Sequence, residues 1–377
     1  MKVRQKKGPK APKMIFRDSE TVNPEQTKGK TPKKPKKVQF SLWKLPRVVQ
    51  FECIENLDVL EIIRFSILSK RAKTISKLVR WNPLNICLSP GSQPVFQSKS
   101  SINPGMIWDI TYQKREEGYS YTKCITIGPS GVHRSPLIGY ENAMETSKQM
   151  TEHICEVFRS PISGIEIAEE SLIEWLIKIQ PTIPCVTIRK NVVTSVETLY
   201  RVLNNLDVTE YFHWESIATK KEFQITEPIQ SRSIAIYESS WVGLPSILNG
   251  TNSIIRLYES KLTVEDINTI LKEWQMGFKL RNLEYLRIDI CTLLDAEICI
   301  NRAVKDLNVT LSDGNDGRPT RVKIHDEFTF KLPRVNMVRN LTRSDGMIGS
   351  LFYEYKVHQL QNLTRMHVFF QVWSQQP

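Results

Sequence analysis

The sequence predicts an α/β protein: a three-helix module near the N-terminal side, then a larger strand-and-helix domain of leucine-rich-repeat-like spacing that ends in a β-hairpin region. Three observations carry this. Apolar residues between about 40 and 82 recur with helical period. From about residue 165 onward, amphipathic helical stretches alternate with short apolar runs 20–32 residues apart. Near the C-terminal side, Ser344-Asp345-Gly346 lies between two strand-like runs, a hairpin signal.

The first segment is a basic tail. Residues 1–37 hold 13 Lys+Arg against 3 Asp+Glu, a net of +10, whereas the other 340 residues carry a net of +2. Rich in Lys, Pro and Gly and poor in apolar residues, the tail cannot bury enough surface to offset its ordering entropy, so it is expected to be disordered. The run Lys33, Lys34, Lys36, Lys37 is either a nuclear-import signal or part of a solvated tail. Nucleic acid is disfavoured as the main partner, because the tail has no interleaved aromatics and the body has little basic excess.

The helical module follows over 38–82. Leu45-Pro46 opens it, with proline suited to a helix's first turn, where its missing N–H is not needed. Val49, Cys53 and Leu57 recur at i, i+4, i+8 with Ile54 beside them. Asp58 and Glu61 form a D-x-x-E start for a second helix, whose apolar face is Leu60, Ile63, Ile67. Ser69 caps a third helix running through SKRAKTISKLVRW. Val48, Phe51, Ile62 and Phe65 make the unit apolar on more than one face. That surplus is covered either by a partner or by the rest of the chain.

Residues 83–118, proline-containing and weakly periodic, read as a connector; the second domain is placed at 119–377. YSYTKCITIG at 119–128 reads as a strand. Met150, Ile154, Val157 and Phe158 mark a helix. Then come three helices (Leu172, Trp175, Leu176, Ile179; Val196, Leu199, Tyr200, Leu203, Leu206; Ile267, Ile270, Leu271, Trp274). Thr194…Glu197 starts the second and Thr263…Asp266 the third as capping boxes. The intervening strands are CVTI at 185–188, YFHW at 211–214, SIAIY at 233–237, SIIRLY at 253–258 and LEYLRIDI at 283–290. This is the pattern of a strand-plus-helix solenoid, the alternative being a mixed α/β domain with coincidental spacing. TRMHVFFQVW is a further strand.

No catalytic or metal-site motif is present: no P-loop, no G-x-G-x-x-G, no G-x-S-x-G, no H-E-x-x-H and no paired Cys/His zinc spacing. The seven cysteines are scattered, without C-x-x-C, and read as reduced thiols. His213, between Phe212 and Trp214, reads as a packed or edge residue. SDGNDG at 312–317 lacks the spaced ligands of a calcium loop and reads as a turn. No run approaches the roughly 20 apolar residues of a membrane span. Catalytic residues, metals and cofactors are therefore expected to be absent, and the chain to be intracellular, in the cytoplasm, the nucleus or both.

Two stretches resemble known families. LPRVVQFECIENLDVLEIIRFSILSKRAK is similar to the F-box motif in unbroken register over about 40 residues. Val59 stands where the family commonly has Pro and Ala72 where Trp is frequent, while SKRAK at 69–73 resembles the expanded nematode F-box families. LTVEDINTILKEWQMGFKLRNLEYLRIDI, with VRNLTRSDG downstream, resembles the nematode type 2 F-box-associated domain over about 230–356. The resemblance implies a Skp-type adaptor and a cullin scaffold (SCF) as partners, with a protein substrate of unknown identity held by the C-terminal domain. By register, Leu45, Pro46, Val49, Ile54, Leu57, Leu60 and Ile63 correspond to the F-box apolar positions, some facing the adaptor and some forming the module's own core. The competing expectations are an interaction scaffold outside an active ligase and a nuclear, nucleic-acid-associated protein using the basic tail.

Overall fold

The computed structural model describes residues 42–374 apart from 91–93, 101–105, 115–125, 128–131, 140–142, 219–222, 314–316, 326–327, 334–336 and 359–362. The basic tail with Lys33, Lys34, Lys36 and Lys37 lies outside the described residues, as do most of the strand expected at 119–128 and the middle of SDGNDG. Two compact units divide the chain, Met1–Ile162 and Ser163–Pro377.

In the first unit a 3-10 turn at Leu42–Lys44 precedes α1 (Arg47–Glu55), α2 (Val59–Leu68) and α3 (Lys70–Leu78). The start signals work as the residues imply. Asp58 accepts from the Glu61 backbone N–H while Glu61 reaches back to the Asp58 N–H (2.8 and 2.9 Å), and Ser69 Oγ accepts from Ala72 N–H. The helices are followed by β1 (Leu84–Pro90), β2 (Pro94–Ser100), β3 (Ile107–Lys114), β4 (Thr126–Ile127), β5 (Val132–Gly139) and α4 (Ala143–Phe158). Strands β1, β2 and β3 are successive antiparallel neighbours, and β5 runs parallel to β3.

Residues 83–118 are thus not a connector. Leu84, Ile86 and Leu88 alternate inward along β1, a period-2 pattern that prolines at 83, 90 and 94 cut too short to recognise. The helical module does not pack alone. Leu60, Ile62 and Ile63 of α2 share one core with Leu84, Ile86, Phe96 and Trp108 of the strands and with Met150, Ile154 and Val157 of α4. About 40 residues of helix are too few for a core of their own, and the strands expected to be a linker complete it.

The second unit begins with β6 (Ile162–Ile167), then α5 (Ser171–Ile179), β7 (Thr182–Ile188), α6 (Val196–Asn205), β8 (Asp207–Trp214) and β9 (Ser233–Ile236). A 3-10 turn and α7 (Leu244–Leu248) lead to β10 (Ile254–Ser260), α8 (Val264–Met276) and β11 (Tyr285–Thr292). Strands β6 to β11 are parallel and lie side by side in chain order, the progression expected of a strand-helix solenoid.

After α9 (Ala296–Ala303) the topology changes to β12 (Val309–Ser312), a separate hairpin β13 (Arg321–His325) and β14 (Phe328–Lys331), then β15 (Val338–Thr342), β16 (Ile348–His358) and β17 (Leu363–Trp373). These close the sheet in the order β12-β15-β16-β17-β11, with antiparallel pairing throughout. The β15–β16 turn is the Ser344-Asp345-Gly346 hairpin, with Gly346 at φ +84° and Gly346 N–H donating to Arg343 O (3.0 Å). One start signal sits a residue later than expected. Ser195, not Thr194, caps α6, its Oγ accepting from Thr198 N–H at 3.1 Å.

Right-handed crossovers between parallel neighbours place the connecting helices on one face of this sheet. Phe212, Trp214, Ile234, Ile236, Leu257 and Ile288 are buried there, and Trp274 of α8 meets Phe370 of β17 edge-on at 4.9 Å. Among the described residues, no helix of this unit packs on the opposite face, which carries the β13–β14 hairpin.

Candidate functional site

Each unit presents one surface that its own packing leaves incomplete. In the first unit it is the entry to α1. Pro46 fixes the backbone ahead of the helix, and Gln50 Nε2 donates to Leu45 O (2.8 Å), pinning the preceding turn. The helix buries Gln50 and Ile54 on one side, which leaves Pro46, Val48 and Val49 exposed on the other, Val48 at 76%. Leu68 and Leu78, at the ends of α2 and α3, are also exposed.

The structure divides the seven positions picked out by register. Ile54, Leu60 and Ile63 are buried within the unit: Ile54 packs with Ile75 and Val79, and Leu60 and Ile63 face the strands. Leu45 and Leu57 are half-buried, while Pro46 and Val49 are exposed. Val48, Leu68 and Leu78, exposed and outside that set, fall off its helical stripe, although Val48 belongs to the extra apolar surface noted in the sequence.

Around this core, Trp43 stacks on Phe65 (6.0 Å) under the Arg71 guanidinium (4.5 Å), and Trp81 Nε1 donates to Ser76 O (2.9 Å). The ionisable groups next to it are structural. His153 of α4 hydrogen-bonds Ser66 Oγ of α2 at 2.7 Å, and burial, aided by nearby Lys73, pulls it down to about 4, so it is neutral at pH 7. Glu156 bridges Lys73 and Lys77, whose hydrogen bonds hold its carboxyl down at about 2. Burial pushes the Cys155 thiol up to about 12, which removes its nucleophilicity.

In the second unit the incomplete surface is the helix-free face of the sheet. Register alone assembles it. Tyr211 and His213 of β8, Ser233 and Ala235 of β9, Arg256 of β10, Arg287 and Asp289 of β11 and His367 of β17 all point the same way. At the N-terminal ends of the strands this face is covered by the β13–β14 hairpin, which packs Val322, Ile324 and Phe330 on Ile254, Tyr285, Phe352 and Phe369.

Beyond the hairpin the face is aromatic and cationic. Tyr237 and Tyr258 stack at 4.3 Å and 11°, and the Arg287 guanidinium lies 4.6 Å over Tyr258 while holding Asp289 through two bonds (2.9 and 3.1 Å). Arg256 donates to Tyr211 OH (3.0 Å). Burial pushes the Tyr211 hydroxyl up and His213 down, so neither ionises near pH 7. The rings and fixed donors suit binding an extended chain.

Comparison with known families decides what these surfaces belong to. Residues 42–83 match the F-box domain and residues 223–288 match the F-box associated family. The chain carries an F-box and an F-box-associated domain. Neither a curated protein nor a solved structure matches it. The F-box spans the 3-10 turn, α1, α2 and α3. The F-box-associated match runs from the approach to β9 into β11, including Arg256, Tyr258 and Arg287 of the helix-free face. Families of this kind are adaptors and receptors, and the F-box implies binding of a Skp-type adaptor in an SCF complex. Among the described residues no group of three or more His, Cys, Asp or Glu could hold a metal ion, and no helix is long and apolar enough to cross a membrane.

Proposed function

We propose that this chain is the substrate-receptor subunit of an SCF-type cullin-RING ubiquitin ligase. Its F-box would bind the Skp-type adaptor, and through it the cullin scaffold, while its C-terminal domain holds a target protein. The observation that carries the reading is the exposed apolar entry of α1, with Pro46, Val48 and Val49 uncovered although the other side of the module is sealed into its own unit. An apolar patch held rigid by a buried core is what a permanent partner covers. We assign the adaptor contact to Leu45, Pro46 and Val49 together with Val48, and a core role to Ile54, Leu60 and Ile63. Catalysis would be proximity: the receptor raises the local concentration of a target lysine near a ubiquitin-charged partner and supplies no reacting group itself.

The test is the double variant Leu45→Ala, Pro46→Ala in the full chain. The Gln50 bond to the Leu45 carbonyl uses only backbone on that side, so the fold is retained. Co-purification with the Skp-type adaptor should be lost while the thermal unfolding midpoint stays within a few degrees; retained adaptor binding overturns the assignment. Ubiquitin transfer by the reconstituted complex separates a working receptor from a scaffold that binds the adaptor without joining an active ligase. The proposed location is the cytoplasm, the nucleus or both.

A further inference from the structure

The helix-free face of the second unit has a trough at its centre. Strand β9 contributes only Ser233 and Ala235 there, both buried, between the larger side chains of β8 and β10. Three buried polar atoms of this face, Ser233 Oγ, His213 Nε2 and Arg256 Nε, have no hydrogen-bond partner among the described residues. Buried polar groups are normally satisfied, and each one left open costs about 1–3 kcal/mol.

Arg256 is the informative member. It is only 6% exposed, donates to the neutral Tyr211 hydroxyl, lies 5.8 Å over the Tyr211 ring and 5.8 Å over the Phe328 ring of the hairpin, and has no carboxylate partner among the described residues. In the parallel register it stands directly beside Arg287, a repulsive placement. Three other cations of the face have acid partners: Arg287 has Asp289, Arg365 has Glu259, and Arg189 has Glu166 and Glu215. Among the described residues Arg256 has no acid partner, and the Tyr237–Tyr258 stack lies on the same face.

We propose that this trough docks an extended acidic segment of the target protein, one Asp or Glu carboxylate pairing with Arg256 and an adjacent apolar side chain resting on Tyr237 and Tyr258. The inference rests on the receptor reading above and names the chemistry its domain recognises. Charge balance selects a carboxylate over a phosphoryl group. A dianion calls for more than one free cation, and the fixed acids Asp289, Glu166 and Glu215 surround the trough. The flat, paired tyrosines supply the apolar anchor usual at binding hot spots.

The experiment uses the full chain on an array of short synthetic peptides that differ at one position among Asp, Glu, Asn, Gln and phosphoserine, in aromatic or aliphatic contexts. Asp and Glu peptides should bind at least about tenfold better than their Asn and Gln counterparts, the size of a charge-assisted bond. That preference should vanish in Arg256→Gln. Tyr237→Ala, at a half-exposed position, should weaken binding of all the peptides while the protein stays folded. Equal binding of acids and amides overturns the proposal, as does preference for phosphoserine or an unaltered profile in folded Arg256→Gln. Should Arg256→Gln fail to fold, Tyr237→Ala decides, and unchanged binding there overturns the proposal. Adaptor co-purification is read on the same preparations. Its loss in wild type would count against the receptor reading alone, whereas normal adaptor binding without acidic selectivity would overturn the trough alone.

Discussion

At the scale of single residues, the sharpest constraint is Gly349 in β16. A Cβ there would fall 2.2 Å from Cζ of Phe370 and 2.8 Å from the Trp274 ring. Both rings are fully buried and held edge-on, so neither can swing away. Gly349→Ala should therefore cost about 1–3 kcal/mol through overpacking, read as a lower denaturation midpoint with an unchanged denaturant slope.

His153 makes a second prediction. Its folded value, about 4, lies below its ordinary 6.5, so between those limits the unfolded chain binds a proton that the folded chain does not. Stability is full above about pH 6.5 and falls as the pH drops toward 4. Glu156 adds a loss of the same sign only at lower pH, below its ordinary 4.5 and down to about 2. His213, also lowered by burial, contributes in the His153 direction. Comparing wild type with His153→Gln between pH 7 and 5 isolates the His153 part, and the variant should show a shallower fall. A parallel fall in both proteins would rule it out.

At the scale of elements, what was legible followed from how local the signal was. Helices α5, α6 and α8 could be read because a 3.6-residue apolar period runs for about two and a half turns or more. The capping boxes at Asp58 and Thr263 lie within four residues and were found as they stand. Thr263→Ala removes Oγ from Asp266 N–H, so α8 should lose about 1 kcal/mol of stability. By contrast β1, β2 and β3 each show only two or three inward residues between prolines and turns, too few for a period. Their hydrophobicity makes sense only against α2 and α4, which no local window contains. The same limit hid the division of the F-box positions. Val49 and Ile54 both read as apolar helix, and only the packing of Ile75 and Val79 shows which of them is core. Polar substitution of Val48 and Val49 should accordingly leave the melting temperature unchanged while adaptor affinity drops, whereas Ile54→Ala should lower the melting temperature by the loss of about 2–5 kcal/mol.

At the scale of the whole molecule, the candidate recognition face was not readable in advance. Tyr211, Arg256, Arg287 and His367 come from four strands spread over more than 150 residues of chain, brought together by sheet register alone. What the whole sequence does show is the charge division, +10 in residues 1–37 and +2 in the remainder. It bears on the rival reading in which nucleic acid is the partner. Binding driven by counterion release grows with the number of cations that meet phosphates and falls steeply with salt. Thirteen of the chain's 52 basic residues lie in that tail, whereas the charged side chains of the helix-free face are mostly paired with acids. Deleting residues 1–37 should thus abolish any salt-dependent retention on single-stranded DNA or RNA. It should leave adaptor co-purification intact, because the F-box begins beyond the deletion. Nucleic-acid binding that survived the deletion, or adaptor binding lost with it, would transfer the main role from the folded units to the basic segment.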